Sequence, residues 1–222
     1  PVSSVTAPAA ASWVNASFTA TLADSDLGAG LTSCAYTVVD NGTVRVNSAA
    51  RTCSTGVSIT VGAGSNCRTQ GATTCTVEVT SVDGARRNSA VGTRSFSVDW
   101  TEDDVVGLAA WTANGGTVIS PVGWTVDRDP YVSWGINVGG RHAPITGYSW
   151  LWDADPDCSA ELAGGDSGAL QTSTGTLLDG AHTFRIRAVD AAGNCGPVAT
   201  LAINVDGSAE SLGPLTVRGG PG

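Results

Sequence analysis

The chain carries one pattern twice, and that duplication restricts its fold more than any single motif does. The run Thr76-Val-Glu-Val-Thr-Ser-Val-Asp83 returns 107 residues later as Thr183-Phe-Arg-Ile-Arg-Ala-Val-Asp190. At the same displacement Thr93-Arg-Ser-Phe-Ser-Val-Asp99 returns as Thr200-Leu-Ala-Ile-Asn-Val-Asp206. Upstream the displacement is 114: Phe18, Ala20 and Leu22 match Val132, Trp134 and Ile136, and Cys34, Tyr36 and Val38 match Tyr148, Trp150 and Trp152. A repeat of this length is two copies of one small domain, not a solenoid of roughly 20–50-residue units. Each copy, at roughly 100 residues, is long enough to bury a core of its own.

Within each copy the hydrophobic period is two. In Ser17-Phe-Thr-Ala-Thr-Leu22 apolar and hydroxyl residues alternate, the mark of a half-buried strand. The pattern recurs over 57–61, 75–82, 93–98, 131–138, 146–152, 182–189 and 198–205, and a helical period is nowhere sustained. Asp40-Asn-Gly42, Asp83-Gly84, Asp179-Gly180 and Ala192-Gly-Asn194 punctuate these runs with residues that accept the positive φ of tight turns. About seven short strands per copy predict an all-β chain of two tandem Ig-like, Greek-key β-sandwiches. The expected boundaries are 1–102 for the first and 103–207 for the second. Residues 208–222, with Leu212-Gly-Pro-Leu-Thr-Val217, read as a tail or as the start of a further repeat. The first copy is longer between its third strand and its Val-Asp strand, 37 residues from Val38 to Cys75 against 30 from Trp152 to His182. The excess falls at the Cys67–Cys75 loop, which is therefore a decoration on a common frame.

Six cysteines allow fifteen pairings. Those expected are Cys34 with Cys53, Cys67 with Cys75, and Cys158 with Cys195, the last two being the sole cysteines of the second copy. Free thiols in a reducing compartment are the alternative; disulfides place the chain outside the cytosol. The net charge of −9 argues against nucleic acid as a partner. It is unevenly placed: 1–102 hold seven acids and six Arg, whereas 103–207 hold twelve acids and four Arg. Lysine is absent, which removes Schiff-base, P-loop and Lys–Asn isopeptide chemistry. No apolar run reaches the roughly 18 residues of a membrane helix, so no membrane insertion is expected. The chain opens at Pro1 with no charged-then-apolar leader and contains no Met, so it reads as a mature or internal fragment.

The segments Ile145-Thr-Gly-Tyr-Ser-Trp150 and Asp179-Gly-Ala-His-Thr-Phe-Arg-Ile-Arg-Ala-Val-Asp-Ala-Ala-Gly-Asn194 resemble the bacterial Ig-like and fibronectin-type-III-like repeats of secreted and cell-surface proteins. Trp13-Val-Asn-Ala-Ser-Phe18 and Cys75-Thr-Val-Glu-Val-Thr-Ser-Val-Asp83 carry the same resemblance in the first copy. It implies an extracellular sandwich and transfers no catalytic residue, since such repeats act as spacers, stalks, adhesins and enzyme accessories.

Three patterns bear on chemistry. Gly164-Gly-Asp-Ser-Gly168, with His142, Asp155 and Ser167 in chain order, has the look of a serine-protease nucleophile motif, but the span is too short for that fold and a Gly-rich turn is the plain reading. Asp153, Asp155 and Asp157 begin like a calcium loop, although Cys158 and Gly164 stand where an EF-hand needs Gly and Glu. A looser Ca²⁺ site would gather Asp127, Asp129 and Asp190 around them; otherwise these carboxylates cap turns. Tyr148, Trp150 and Trp152 share one side of a strand. They form either a stacking platform for polysaccharide or part of the core, as Cys34, Tyr36 and Val38 should in the first copy. The expected function is non-catalytic and needs no cofactor: a structural segment (stalk, spacer, sheath or filament component) whose partners are other copies or further domains of the same protein. An adhesin or carbohydrate-binding accessory module is the alternative.

Overall fold

The computed structural model describes residues 1–137, 139–140, 142–171 and 177–208. The first eight strands are β1 (Val2–Ala7), β2 (Trp13–Val14), β3 (Phe18–Ser25), β4 (Leu31–Asp40), β5 (Thr43–Arg51), β6 (Val57–Ile59), β7 (Gly71–Asp83) and β8 (Gly92–Val98). Their alternation decides which side is buried. On β7, Cys75, Val77, Val79, Ser81 and Asp83 are buried while the residues between them are partly exposed. The sheet β1-β3-β6 thus faces the sheet β2-β8-β7-β4-β5 across one core, where Ala20, Leu22 and Ile59 meet Val38, Val77, Val79 and Phe96. The chain changes sheet between β3 and β4, between β5 and β6, and again before β7, the crossovers of a Greek-key sandwich. Burying polar Ser81 is tolerated because Ser3 Oγ donates to its hydroxyl at 2.8 Å.

The second half repeats the arrangement with β9 (Val105–Trp111), β10 (Val118–Ile119), β11 (Trp124–Thr125), β12 (Tyr131–Ile136), β13 (Ile145–Trp152), β14 (Leu162–Ala163), β15 (Ser167–Gln171), β16 (Gly180–Asp190) and β17 (Ala199–Val205). The sheets are β10-β9-β12-β15 and β11-β17-β16-β13-β14. Phe184, Ile186, Ala188 and Asp190 on β16 occupy the inward places of Val77, Val79, Ser81 and Asp83. Each of the four sheets draws its strands from one side of residue 101. Among the elements not anticipated from sequence are β2 and β11, each of two residues, which pair in parallel with β8 and β17. The strand expected over 131–138 ends at Ile136, and Val138 lies outside the described residues, as does the tail from 209 to 222.

Cys34–Cys53, Cys67–Cys75 and Cys158–Cys195 are bonded. The middle bridge has an electrostatic companion. Fully buried Asp40 accepts Arg68 N–H at 3.1 Å, Thr69 N–H at 2.9 Å and Thr69 Oγ at 3.1 Å, and pairs with Arg45 at 3.2 Å. The Cys67 loop is therefore held to the β4–β5 turn by a carboxylate as well as by sulfur.

Candidate functional site

Each sequence-derived candidate finds a distinct place. Tyr148 is fully buried and meets Trp134 edge-on at 5.1 Å; Trp150 stacks on Phe184 at 5.6 Å; Trp152 meets the same Phe184 edge-on at 5.2 Å. The three rings point into the core, so the polysaccharide platform they would have formed is not a solvent-facing surface. Large rings fill this sandwich as β-branched residues fill the first.

The glycine motif serves those rings. A Cβ on Gly164 would lie 2.5 Å from the Tyr148 ring, and one on Gly168 would lie 2.6 Å from the Trp134 indole. The Tyr148 hydroxyl donates to Gly165 C=O. His142 precedes β13 and Asp155 follows it, and an eight-residue strand at roughly 3.3 Å per residue sets them about 25 Å apart. No Ser–His–Asp geometry arises.

The carboxylates of the 153–157 loop diverge onto separate partners. Asp153 lies 2.7 Å from His182 Nδ1 and accepts Thr183 N–H at 2.7 Å, Asp155 pairs with Arg185 at 2.5 Å, and Asp157 accepts Ser159 N–H at 2.7 Å. Burial pushes Asp153 up, but the bonds from His182 and Thr183 outweigh it and lower its pKa, while the Asp153 bond raises that of His182. Asp190 sits at the opposite end of the sandwich, beside Pro144 and Asn194. The expected calcium cage is thus corrected to a set of turn caps and ion pairs; among the described residues no three His, Cys, Asp or Glu side chains gather as metal ligands. In the first sandwich Asp24 likewise serves Arg51, at 2.6 Å, and Asp26 caps Gly28 and Gly30.

The site that sequence reading missed joins the two sandwiches. Asp99, at the end of β8, is fully buried. Its Oδ2 accepts Ala143 N–H at 2.5 Å and His142 N–H at 3.1 Å, both from the loop before β13, while Oδ1 accepts Thr101 N–H at 2.9 Å. Its carbonyl accepts Asn194 Nδ2 at 2.9 Å. Asn194 is aimed by Asp190, whose Oδ1 accepts Asn194 N–H and whose Oδ2 accepts the amide, each at 2.8 Å. The linker is pinned at both ends. Gln70 Oε1 accepts Trp100 N–H at 2.8 Å, and a Cβ on Gly196 would strike the carbonyl of buried Asp103. Burial foremost, and then the neighbouring Asp99 charge, raise the Asp190 pKa against the opposing bonds from Asn194 and Ala192. The signal was present in the sequence as the repeated Val-Asp ends at Asp83, Asp99, Asp190 and Asp206. What it lacked was the knowledge that one of them crosses to the other copy.

No family model matches the chain, and neither does any curated protein. Among solved structures it is similar to the fibronectin(III)-like modules of Clostridium thermocellum CbhA, at 11% identity and a TM-score of 0.47 over 97% of this chain and 100% of that one. It is also similar to a structure of a 1.5-MDa bacterial ice-binding adhesin, at 18% identity and a TM-score of 0.39 over 90% of this chain and 62% of that one. At these values neither assigns a family, and the two-sandwich architecture rests on the sheets and registers of the chain itself.

Proposed function

We propose that the chain is a non-catalytic structural segment, a stalk, spacer, sheath or filament component of an extracellular bacterial surface protein, made of units 1–102 and 103–207. The observation that carries this is the Asp99 junction: a buried carboxylate bonded to backbone N–H groups across a short linker serves to hold two sandwiches at one angle. Three disulfides support an oxidising, extracellular setting, and no helix among the described residues is long and apolar enough to cross a membrane. The groove on the outer face of the first sandwich, of about 450 Å³, is lined by Ser33, Ser48, Thr80, Asn88 and Ser89 with Ala35, Val82 and Val91, and offers no ring on which a sugar would stack. The test is a glycan array read together with tryptophan fluorescence. Silence across polysaccharides supports the structural reading; a saturable quench or blue shift overturns it.

A further inference from the structure

Resting on the structural reading, we propose that a second copy of this chain docks head-to-tail, the base of the second sandwich on the head of the next copy's first sandwich, with Asp206 in the role of Asp99. The base of the second sandwich repeats the base of the first. Asp206 N–H donates to Thr125 C=O at 2.8 Å as Asp99 N–H donates to Val14 C=O at 3.1 Å, and Trp124 pairs with Asn204 as Trp13 pairs with Ser97. Asp99 is fully buried against the following sandwich, whereas Asp206 is exposed and its carboxylate has no partner among the described residues. Around it stand Val122, Trp124, Val126 and Leu178, 67–88% exposed. Val126 takes the place of Asn15, whose side chain lies against Gly193 of the second sandwich. These apolar side chains are uncovered where the first sandwich has a neighbour.

The head of the first sandwich repeats the head that receives Asp99. Gly84 N–H donates to Gly30 C=O as Ala191 N–H donates to Pro144 C=O, both at 2.9 Å. Arg87 N–H donates to Asp83 Oδ1 as Asn194 N–H does to Asp190 Oδ1, both at 2.8 Å. Arg86 and Gly193 share a positive φ, 64° and 83°. Ala29 therefore stands where Ala143 stands, and its N–H makes no hydrogen bond among the described residues, Asp26 having taken Gly28 and Gly30. Two differences suit a free partner. Arg86 and Arg87 replace Gly193 and Asn194, setting cations opposite Asp206 and its neighbours Asp127 and Asp129; and Leu27 and Val2 are exposed, 106% and 65%. Such a contact is heterologous, so it repeats from copy to copy and builds an open filament wherever its rotation does not close a ring.

The internal match of Asn15 and Gly193 to Val126 and Arg86 supplies the test. Oxidised mixtures of Val126→Cys and Arg86→Cys chains should give a crosslinked dimer in about tenfold excess over mixtures of Val126→Cys with Val44→Cys, because docking raises the local thiol concentration. A chain carrying both Val126→Cys and Arg86→Cys should give a ladder. Sedimentation velocity on the unmodified chain should show a weight-average coefficient that rises with concentration, and Asp206→Arg should abolish the rise. Equal crosslinking of both pairs, or a concentration-independent monomer, overturns the proposal. Failure of either with a silent glycan array leaves the structural reading standing, whereas a glycan response removes that reading whatever the crosslinks show.

Discussion

Replacing Asp99 with alanine should uncouple the two sandwiches while leaving each folded. The substitution deletes the acceptor of three backbone N–H groups, those of Thr101, His142 and Ala143. Thr101 sits on the linker and its N–H is readily rehydrated. Ala143 is fully buried, so its N–H is left without an acceptor unless the junction opens. Bonds to a charged acceptor contribute about 1.5–3 kcal/mol each, and recovering the hydration of a buried carboxylate offsets part of the sum. The net loss of docking is then about 2–4 kcal/mol, a factor of roughly 30–700 in the docked-to-undocked ratio. Calorimetry reads it directly. A sandwich of roughly 100 residues loses about 4–8 °C of Tm per kcal/mol, so the less stable sandwich should fall by at least 8 °C or so while the other holds. Asp99→Asn, which keeps one acceptor oxygen, should fall between. A change within about 2 °C for both transitions would refute the reasoning, because a bond network that does not stabilise the folded chain does not fix its geometry.

Other outcomes follow from the same structure. Burial pushes the Asp24 carboxyl up, but the bonds from the Arg51 guanidinium and the Ser54 N–H prevail and bring it from 3.8 to about 2. Its folded pKa lies below the unfolded one, so about 2 kcal/mol of stability is present above pH 4 and lost as pH falls toward 2; Asp24→Asn should flatten that slope in acid-unfolding curves. Gly168→Ala would press a methyl into the Trp134 indole and should destabilise the second sandwich by about 1–3 kcal/mol in urea titrations, with a change in near-UV circular dichroism. Asp40→Ala should leave Arg68 and Thr69 N–H without their acceptor and lower the first sandwich's urea midpoint, with hydrogen exchange speeding up at those two amides.

Much of the fold was legible because a strand advertises its buried side by alternation. Val77 and Val79 against Phe184 and Ile186 give both the strands and their equivalence. The parallel pairs of Trp13–Val14 and Trp124–Thr125 were not legible, since two residues carry no period. Alternation also tells which residues share a side but not which side faces water, so the likeness of Tyr148, Trp150 and Trp152 to Cys34, Tyr36 and Val38 favours the core over a platform, and Phe184 seen against Trp150 and Trp152 places them there. Proximity along the chain misled at Asp153, Asp155 and Asp157. Positions two apart in a loop are free to turn toward different cations, and His182 and Arg185 draw two of them apart. The junction was hidden for the opposite reason: Asp99 and Ala143 are 44 residues apart and belong to different copies.

The rigid junction is the claim on which the structural reading depends, and residual dipolar couplings of backbone amides in one aligning medium test it directly. A single alignment tensor should fit the couplings of both sandwiches at equal order. Two tensors, with the order of one sandwich clearly below that of the other, would mean that the halves swing freely about residues 100–104 and would contradict it.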